Sequence, residues 1–508
     1  MTRPTVIIVG GGISGLVSAW ALRDVADVTI IESTDRLGGK IETTSFRSHP
    51  LDLGPDAFIV RNRAGVELCA ELGLDAELIE PSSKSAAIYA RGHLRAFPDQ
   101  LVFGIPTSVS ALYRSHIVSV WGVLRVLRDL FSSVPLVSYS LAEEVRAGRV
   151  DPSVGEIFTK RFGPTIVSSL IDPLIGGINA SDVGALSFAS SMPLIFDRIV
   201  GQPSVMRALR HREEPQATAS GSIFRGLKNG MSTLIDTLAD AVERSGTRIV
   251  CDEPALALSR GSSGAYVLDC QSGPRMADAV ILATPAYVSA DLVRQFSREL
   301  AEELGSIPYA SVATATFAWN LRDVPREIAH DLRQLRDRHP EVGAKVSSRS
   351  LLPGSGVLVA REAKMLTTAT SFTSTKWPRS ARDDEVVIRV SVGRHHDERI
   401  VALSDDALTA VIKQEIALVL GITAEPLEVV IKRWPKSFPQ YDSGHAERIR
   451  RIDAIGDELG IGLVGAAYHG IGIPSCIAQA RLAAQHLADQ FGSRKDELGD
   501  DELGSDKP

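Results

Sequence analysis

Two hydrophobic periods alternate along the chain and divide it into regions. Residues 5–9 are a short apolar run, three glycines follow, and apolar positions then recur at helical spacing over 13–23. A second apolar run at 27–31 ends in Glu32. Short apolar runs on either side of an amphipathic helix predict strand, helix, strand, the repeating unit of a parallel sheet. From about residue 85 to 220 the pattern turns helical, with Pro98, Pro106, Pro135, Pro152, Pro164 and Pro173 as punctuation, because proline lacks the N–H that continues a helix. Beyond that the first style returns. A helix is expected over 232–245 and strands over 248–252, 265–270 and 279–285. Alternating residues predict strands at 311–319 and 386–392, and helical spacing predicts a helix at 405–420. Residues 461–490 read as strand, glycine turn and helix. The chain after Gly492 is polar, carries Asp-Glu-Leu-Gly twice, and is expected to be a disordered tail.

These regions imply an α/β chain (α+β overall) of three domains. A nucleotide domain is assembled from 1–84, 222–290 and 425–490. A helical insertion spans 85–205. A mixed-sheet domain takes 206–221 and 291–424, the polar stretch 207–221 being a loop, and the tail is 491–508.

Composition narrows the partners. Hydrophobic residues at 44% and charged residues at 23% suit globular domains with cores of their own. A net charge of −7 gives no basic domain, so nucleic acid is not an expected partner. Cys69, Cys251, Cys270 and Cys476 lie far apart with no CxxC pair. That spacing indicates neither a metal site nor a disulfide framework, and suits free thiols in a reducing cytoplasm. No run reaches the roughly 18 apolar residues of a membrane span. The strongest stretch, 101–137, is broken by Arg114, His116, Arg125, Arg128 and Asp129. Such a stretch is expected to pack as helix on the protein, or to touch lipid with its arginines at the headgroups and Trp121 facing inwards.

The chemistry starts at Gly10-Gly11-Gly12-Ile13-Ser14-Gly15, a GxGxxG at the exit of the first apolar run. Gly10 allows the tight turn, Gly12 lets backbone approach a pyrophosphate, and Gly15 lets helix pack on strand. The helix that follows offers its free N–H groups and positive end to an anion. Glu32 lies 22 residues beyond Gly10, where a ribose-binding carboxylate is expected. Together these residues specify a dinucleotide site on a Rossmann-type fold, without saying which dinucleotide.

The segment after Glu32 adds to this. Ser33-Thr-Asp-Arg36-Leu-Gly38-Gly39-Lys40 resembles the extended signature of the FAD-dependent amine oxidase superfamily. Two more segments resemble it: Asp52-Leu-Gly54-Pro55-Asp56-Ala57, and Gly465-Ala-Ala467-Tyr468-His-Gly470-Ile471-Gly472-Ile473. In that superfamily the first lies beside the flavin ring, and the second brings a helix start to the ring's pyrimidine edge. The resemblance implies FAD, with contacts from Gly10 to Gly15, Glu32, Ser33, Arg36, Gly39, Lys40, Gly54, Pro55, Asp56, Ala57, Val250, Trp434, Ile471, Gly472 and Ile473. It also implies non-covalent binding, since Ala467 stands where monoamine oxidases carry the attaching cysteine.

Within the superfamily the chain resembles the porphyrinogen oxidases. The motifs are Pro439-Gln440-Tyr441-Asp-Ser-Gly444-His445, Val392-Gly393-Arg394 followed by Asp397-Glu398, Asp172-Pro-Leu-Ile-Gly176-Gly177-Ile-Asn179, and Gly226-Leu-Lys-Asn-Gly230-Met231. The resemblance runs from Pro4 to about Gln490. It implies six-electron oxidation of a porphyrinogen, with hydride passing to flavin N5, dioxygen as oxidant and peroxide as by-product. No catalytic acid or base is expected, and His445 and His469 read as structural. The alternatives are coproporphyrinogen III, with four propionates, and protoporphyrinogen IX, with two. Residue usage leans towards the coproporphyrinogen enzymes of Gram-positive bacteria. Propionates call for arginines at a cavity mouth, and Arg61 and Arg95 are the candidates, with Arg63 and Arg91 beside them. The rivals are an amine oxidase, a carotenoid desaturase, and a flavoprotein that carries porphyrin without oxidising it. A cytoplasmic protein, peripheral at the inner face of the membrane and compatible with contact to a ferrochelatase, is the expected setting.

Overall fold

The computed structural model describes residues 3–83, 85–98, 100–210, 222–325, 352 and 354–503. Two sheets organise it. The first is parallel and five-stranded, in the order Arg248–Val250, Asp27–Ile31, Thr5–Val9, Ala279–Leu282, Ile461–Leu463. Its strands are short and apolar because both faces are covered. One face holds the first helix, Ile13–Leu22, with helices Ser232–Arg244 and Ile473–Leu503. The other carries the antiparallel ribbon Ala255–Arg260, Tyr266–Cys270, Gly273–Ala277, and helices Ala286–Val293, Arg298–Gly305 and His445–Leu459.

The second sheet is mixed and seven-stranded: Glu428–Pro439, Tyr309–Asn320, Glu385–Val392, Thr367–Phe372, Gly356–Val359, Ala87–Ala90, His93–Ala96. Helix Asp405–Leu420 packs on it. The helical insertion has its own core, stitched by Phe158, Phe162, Phe188 and Phe196.

Several expectations change. Residues 87–96 belong to the mixed sheet, not to the helical insertion, and 428–439 belong there rather than to the nucleotide domain. Strand partners are chosen by burial across the whole chain, which local pattern does not contain. Helix Arg298–Gly305 packs with the nucleotide domain. Pro173 does not end its helix. It sits inside a widened π-turn, Val167–Gly176, a geometry that tolerates a missing donor. The stretch 101–137 is not one helix but the hairpin Leu101–Val102/Ile105–Pro106, helices Val109–Ser115 and Val120–Leu127, and a 3₁₀ turn Arg128–Phe131. The loop expected from 207 begins inside helix Val205–Arg210, and 211–221 lie outside the described residues. The last helix runs on to Leu503, past the break expected at 491. Phe491 is buried against the body of the protein. Residues 504–508 lie outside the described residues.

Candidate active site

The first strand hands the chain to the first helix through Gly10, whose φ is +106°. A Cβ on Gly10 would sit 2.9 Å from the Ala283 carbonyl oxygen, and one on Gly15 would sit 1.9 Å from that of Gly10. Both glycines are therefore fixed by backbone packing. Gly12 differs, because a Cβ there would meet nothing within 4 Å. It also starts the helix without a side-chain cap. The first-turn N–H groups of Ile13, Ser14 and Gly15 are thus left without a capping side chain beside the open position of Gly12, the arrangement that suits an anion.

Glu32 stands at the end of the neighbouring strand. One carboxylate oxygen accepts the Gly11 N–H at 2.8 Å, and the other accepts the Thr34 N–H and hydroxyl at 2.9 Å and the Ser33 hydroxyl at 3.3 Å. Val250 lies across from it, its carbonyl accepting the Glu32 N–H at 2.9 Å. Gly38 pairs back onto Gly11 and Gly12, and Gly39 brings its backbone beside Gly12. Arg36 is not free to serve an anion alone. Its guanidinium donates to the carbonyls of Leu37, Gly39 and Ile41 and pairs with Glu42 at 2.9 Å.

Lys40 donates its ammonium to the Ser437 carbonyl. Burial lowers its pKa to about 8, although the nearby Cys476 works in the other direction. The Lys40 carbonyl lies 2.0 Å from where a Gly54 Cβ would be, so only glycine fits at 54. The Trp434 ring edge comes within 3.8 Å of the same point, and its N–H donates to the Leu53 carbonyl at 3.2 Å.

The loop carrying Gly54, Pro55, Asp56 and Ala57 is held by groups the sequence did not reveal. Arg389 donates to the carbonyls of Asp52 and Gly54, both at 2.9 Å. The Asp56 carboxylate accepts the Lys376 ammonium at 2.8 Å and the Trp377 N–H at 2.9 Å. Burial alone would raise the pKa of Asp56, but Lys376 and Arg389 reverse this and hold it well below the carboxylate range. The usable signal was Arg389 itself, a lone cation in the apolar strand Glu385–Val392, since buried charges seek partners.

The C-terminal turn reaches the same place. Gly465 and Gly470 take φ of +139° and +127°, and the last helix starts when the Cys476 N–H bonds the Gly472 carbonyl at 3.0 Å. Cys476 connects the parts, with the Ser14 hydroxyl and Lys40 beside its thiol. Its pKa is pushed up to about 11, by burial first, so it stays protonated. Ile471 packs on the core of the helical insertion, and Ile473 on that of the nucleotide domain. Burial also raises the phenols of Tyr309, Tyr441 and Tyr468 and lowers His445 to about 4. The ring nitrogens and phenols around this turn are therefore uncharged near neutrality. His469, paired with Asp453 at 3.2 Å, is raised by that bond.

The remaining candidates are not brought to this junction. Arg61 is exposed, and Arg63 pairs with Glu67 on the surface. Arg95 lies on the edge strand opposite Trp434, six strand spacings or about 29 Å across the sheet. There Arg91, His93, Arg95 and His116 line a cavity of about 390 Å³. Another, of about 540 Å³, is lined in the helical insertion by Arg125, Arg128, Lys160 and Arg161 with Asp129. Close to it in the chain, Trp121 and Phe131 are each 80% exposed, so Trp121 points away from the protein. Among the described residues no helix is long and apolar enough to cross a membrane, and no cluster could hold a metal ion.

Residues 13–488 match the model of the flavin containing amine oxidoreductase family. Coproporphyrinogen III oxidase of Mycobacterium tuberculosis (strain H37Rv) is 32% identical, covering 97% of this chain and 99% of the relative. That of Bacillus subtilis (strain 168) is 28% identical over 94% and 96%. A crystal structure from Exiguobacterium sp. 255-15, assigned as a protoporphyrinogen oxidase, superposes with a TM-score of 0.80 at 28% identity, covering 96% of this chain and all of that one. The chain belongs to the flavin containing amine oxidoreductases.

Proposed function

We propose that this flavoprotein binds FAD non-covalently and oxidises coproporphyrinogen III to coproporphyrin III with dioxygen, as a step of haem synthesis. The observation that carries the reading is the meeting of two helix starts, Gly12–Ile13 and Gly472–Ile473, across the loops of Gly38–Lys40 and Gly54–Ala57. It occurs in a chain aligned end to end with coproporphyrinogen III oxidases. The first helix start and the open side of Gly12 suit a pyrophosphate. Glu32 and Val250 suit the ribose and adenine. The second helix start suits the pyrimidine edge of a flavin, which gains negative charge on reduction. Gly54 to Ala57 and Trp434 suit the ring between them.

When bound, FAD supplies the hydride acceptor, and dioxygen reoxidises it. The chain's own residues orient and enclose. Asp56, Lys376 and Arg389 fix the loop at the ring. Ala467 offers no nucleophile for a covalent link, and the Cys476 thiol stays protonated. With the surrounding phenols and His445 neutral, the site holds no obvious general base, and the reaction needs little help of that kind. Each substrate loses six hydrogens to three dioxygen molecules, giving one porphyrin and three hydrogen peroxide, driven by the aromaticity of the product.

The second reading is protoporphyrinogen IX as substrate. The dispersal of Arg61 and Arg95 favours it, because four propionates would call for a gathered basic rim. Aerobic incubation with each porphyrinogen, followed by porphyrin fluorescence and peroxide, decides. Faster turnover of coproporphyrinogen III is expected, and no porphyrin from either substrate with flavin bound refutes both readings. The exposed Trp121 and Phe131 near the basic cavity support peripheral contact of the helical insertion with anionic lipid.

A further inference from the structure

The segment Gln440–His445 is the motif that the flavin reading leaves without a role. It follows strand Glu428–Pro439 and opens helix His445–Leu459. Three bodies meet on it. The Gln440 N–H donates to the Pro308 carbonyl at 2.8 Å, on the entry to the mixed sheet. The helical insertion docks through the Ser187 N–H to the Tyr441 carbonyl at 2.8 Å, and through Ser443 N–H to the Ala185 carbonyl at 2.9 Å. The Gly444 N–H donates to Asp151 at 2.8 Å, whose other oxygen accepts the Ser187 hydroxyl.

On the third side stands the glycine turn before the last helix. The Tyr441 phenol donates to the Ala466 carbonyl at 2.8 Å and accepts the Gly470 N–H at 2.7 Å. One hydroxyl closes both ends of that turn. The ring is stacked on the His445 imidazole, with centroids 4.0 Å apart and planes 13° from parallel. His445 Nε2 faces the Tyr468 carbonyl at 3.4 Å, while its Nδ1 meets no partner among the described residues. Tyr441 is buried and un-ionised, so the donor is permanent. The turn needs such a clasp because glycine backbone does not hold a conformation by itself.

We propose that Tyr441 is a positioning residue: its hydroxyl sets the start of the last helix against the flavin ring and ties that setting to the seat of the helical insertion. This rests on Ile471–Ile473 lying at the flavin. The favourable field of a helix start fades within its first turn. A slack turn therefore weakens the ring's electron affinity without removing any group that touches substrate.

The test compares Tyr441→Phe with Tyr266→Phe in the full-length holoenzyme. Tyr266 is also buried, and its hydroxyl closes another glycine turn by donating to the carbonyls of Leu459 and Gly460. The control therefore loses a similar clasp at the other end of helix His445–Leu459. Two quantities are read: the flavin midpoint potential by anaerobic dithionite titration, and the rate of flavin bleaching by coproporphyrinogen III. Tyr441→Phe is expected to move the potential to more negative values. It should slow bleaching at saturating substrate about tenfold, the loss of roughly one hydrogen bond, while Tyr266→Phe matches the wild type in both.

A wild-type potential in Tyr441→Phe, or equal shifts in the two variants, overturns the proposal. Should Tyr441→Phe not fold, His445→Leu loosens the stacked ring and leaves the hydroxyl. A smaller negative shift then supports the proposal and an unchanged potential overturns it. A shifted potential in a protein that oxidises no porphyrinogen supports the clasp while refuting the substrate reading. A chain that takes up no flavin removes both.

Discussion

Replacing Asp56 by asparagine removes one negative charge and little else. The carboxylate sits 2.8 Å from the Lys376 ammonium, 2.9 Å from the Trp377 indole N–H and 3.8 Å from Arg389. The three charged side chains are 14–20% exposed. Asparagine keeps the shape and can still accept the indole N–H, so the perturbation is two cations left facing each other. Breaking a buried pair from one side costs about 3–5 kcal/mol. Partial exposure and the retained indole bond bring the expectation to about 2–3 kcal/mol. Urea unfolding of the holoenzyme at pH 7 reads this directly. The pH dependence is a second check. Because the folded protein holds the Asp56 pKa low, its contribution is present above the unfolded value of about 3.9 and is lost progressively as pH falls from there towards the lower folded value. The gap between wild type and Asp56→Asn should therefore narrow from about pH 4 downwards. A gap below about 0.5 kcal/mol at pH 7, the scale of an ordinary surface change, or one that widens on acidification, would refute this account of the loop.

Two further predictions concern flavin retention. Gly54→Ala puts a Cβ 2.0 Å from the Lys40 carbonyl oxygen. Neither backbone can yield cheaply, so FAD affinity measured by fluorescence quenching should weaken by about tenfold or more, roughly the 1–3 kcal/mol of overpacking. Wild-type affinity would show that the loop is not at the ring. Lys40 titrates near pH 8 by burial, and only its charged form attracts an anion. FAD affinity should therefore fall between pH 7 and pH 9, and Lys40→Met should flatten that profile. A wild-type affinity independent of pH refutes the assignment.

How far the molecule could be read from its sequence depended on how local each determinant is. Helix Asp405–Leu420 has the bounds expected of it, because its signals are adjacent: Ser404 caps it, Asp405 and Asp406 fill its first turn, and Gly421 ends it in the left-handed region. The glycine motif was legible too, since Gly15 answers to the Gly10 carbonyl within the same strand–turn–helix unit, although Gly10 itself packs on Ala283 far along the chain. The mixed sheet was not. Nothing within residues 87–96 says that they pair with a strand at 356–359. Arg389 was visible as an oddity, but its partners, the carbonyls of Asp52 and Gly54, lie more than 330 positions earlier. The candidate arginines lie apart for a related reason. Arg61 and Arg95 follow the loop closely in sequence, and the sheet then carries Arg95 to its far edge.

The two helix starts have a consequence for how the protein is made. Gly12 and Gly472 are separated by about 460 residues, which a ribosome adding roughly 5–20 residues per second needs about 20 to 90 seconds to traverse. The first strand waits for its neighbour at 279–282, and that strand in turn for 461–463. If the two helix starts hold FAD as proposed, the nascent chain can throughout that interval present a cradle for phosphates but no seat for the ring. On the proposed reading, cofactor loading thus waits until Gly472 and the helix behind it have been made, and a message cut short before that point yields a chain that cannot close around its flavin, however well its earlier domains have folded.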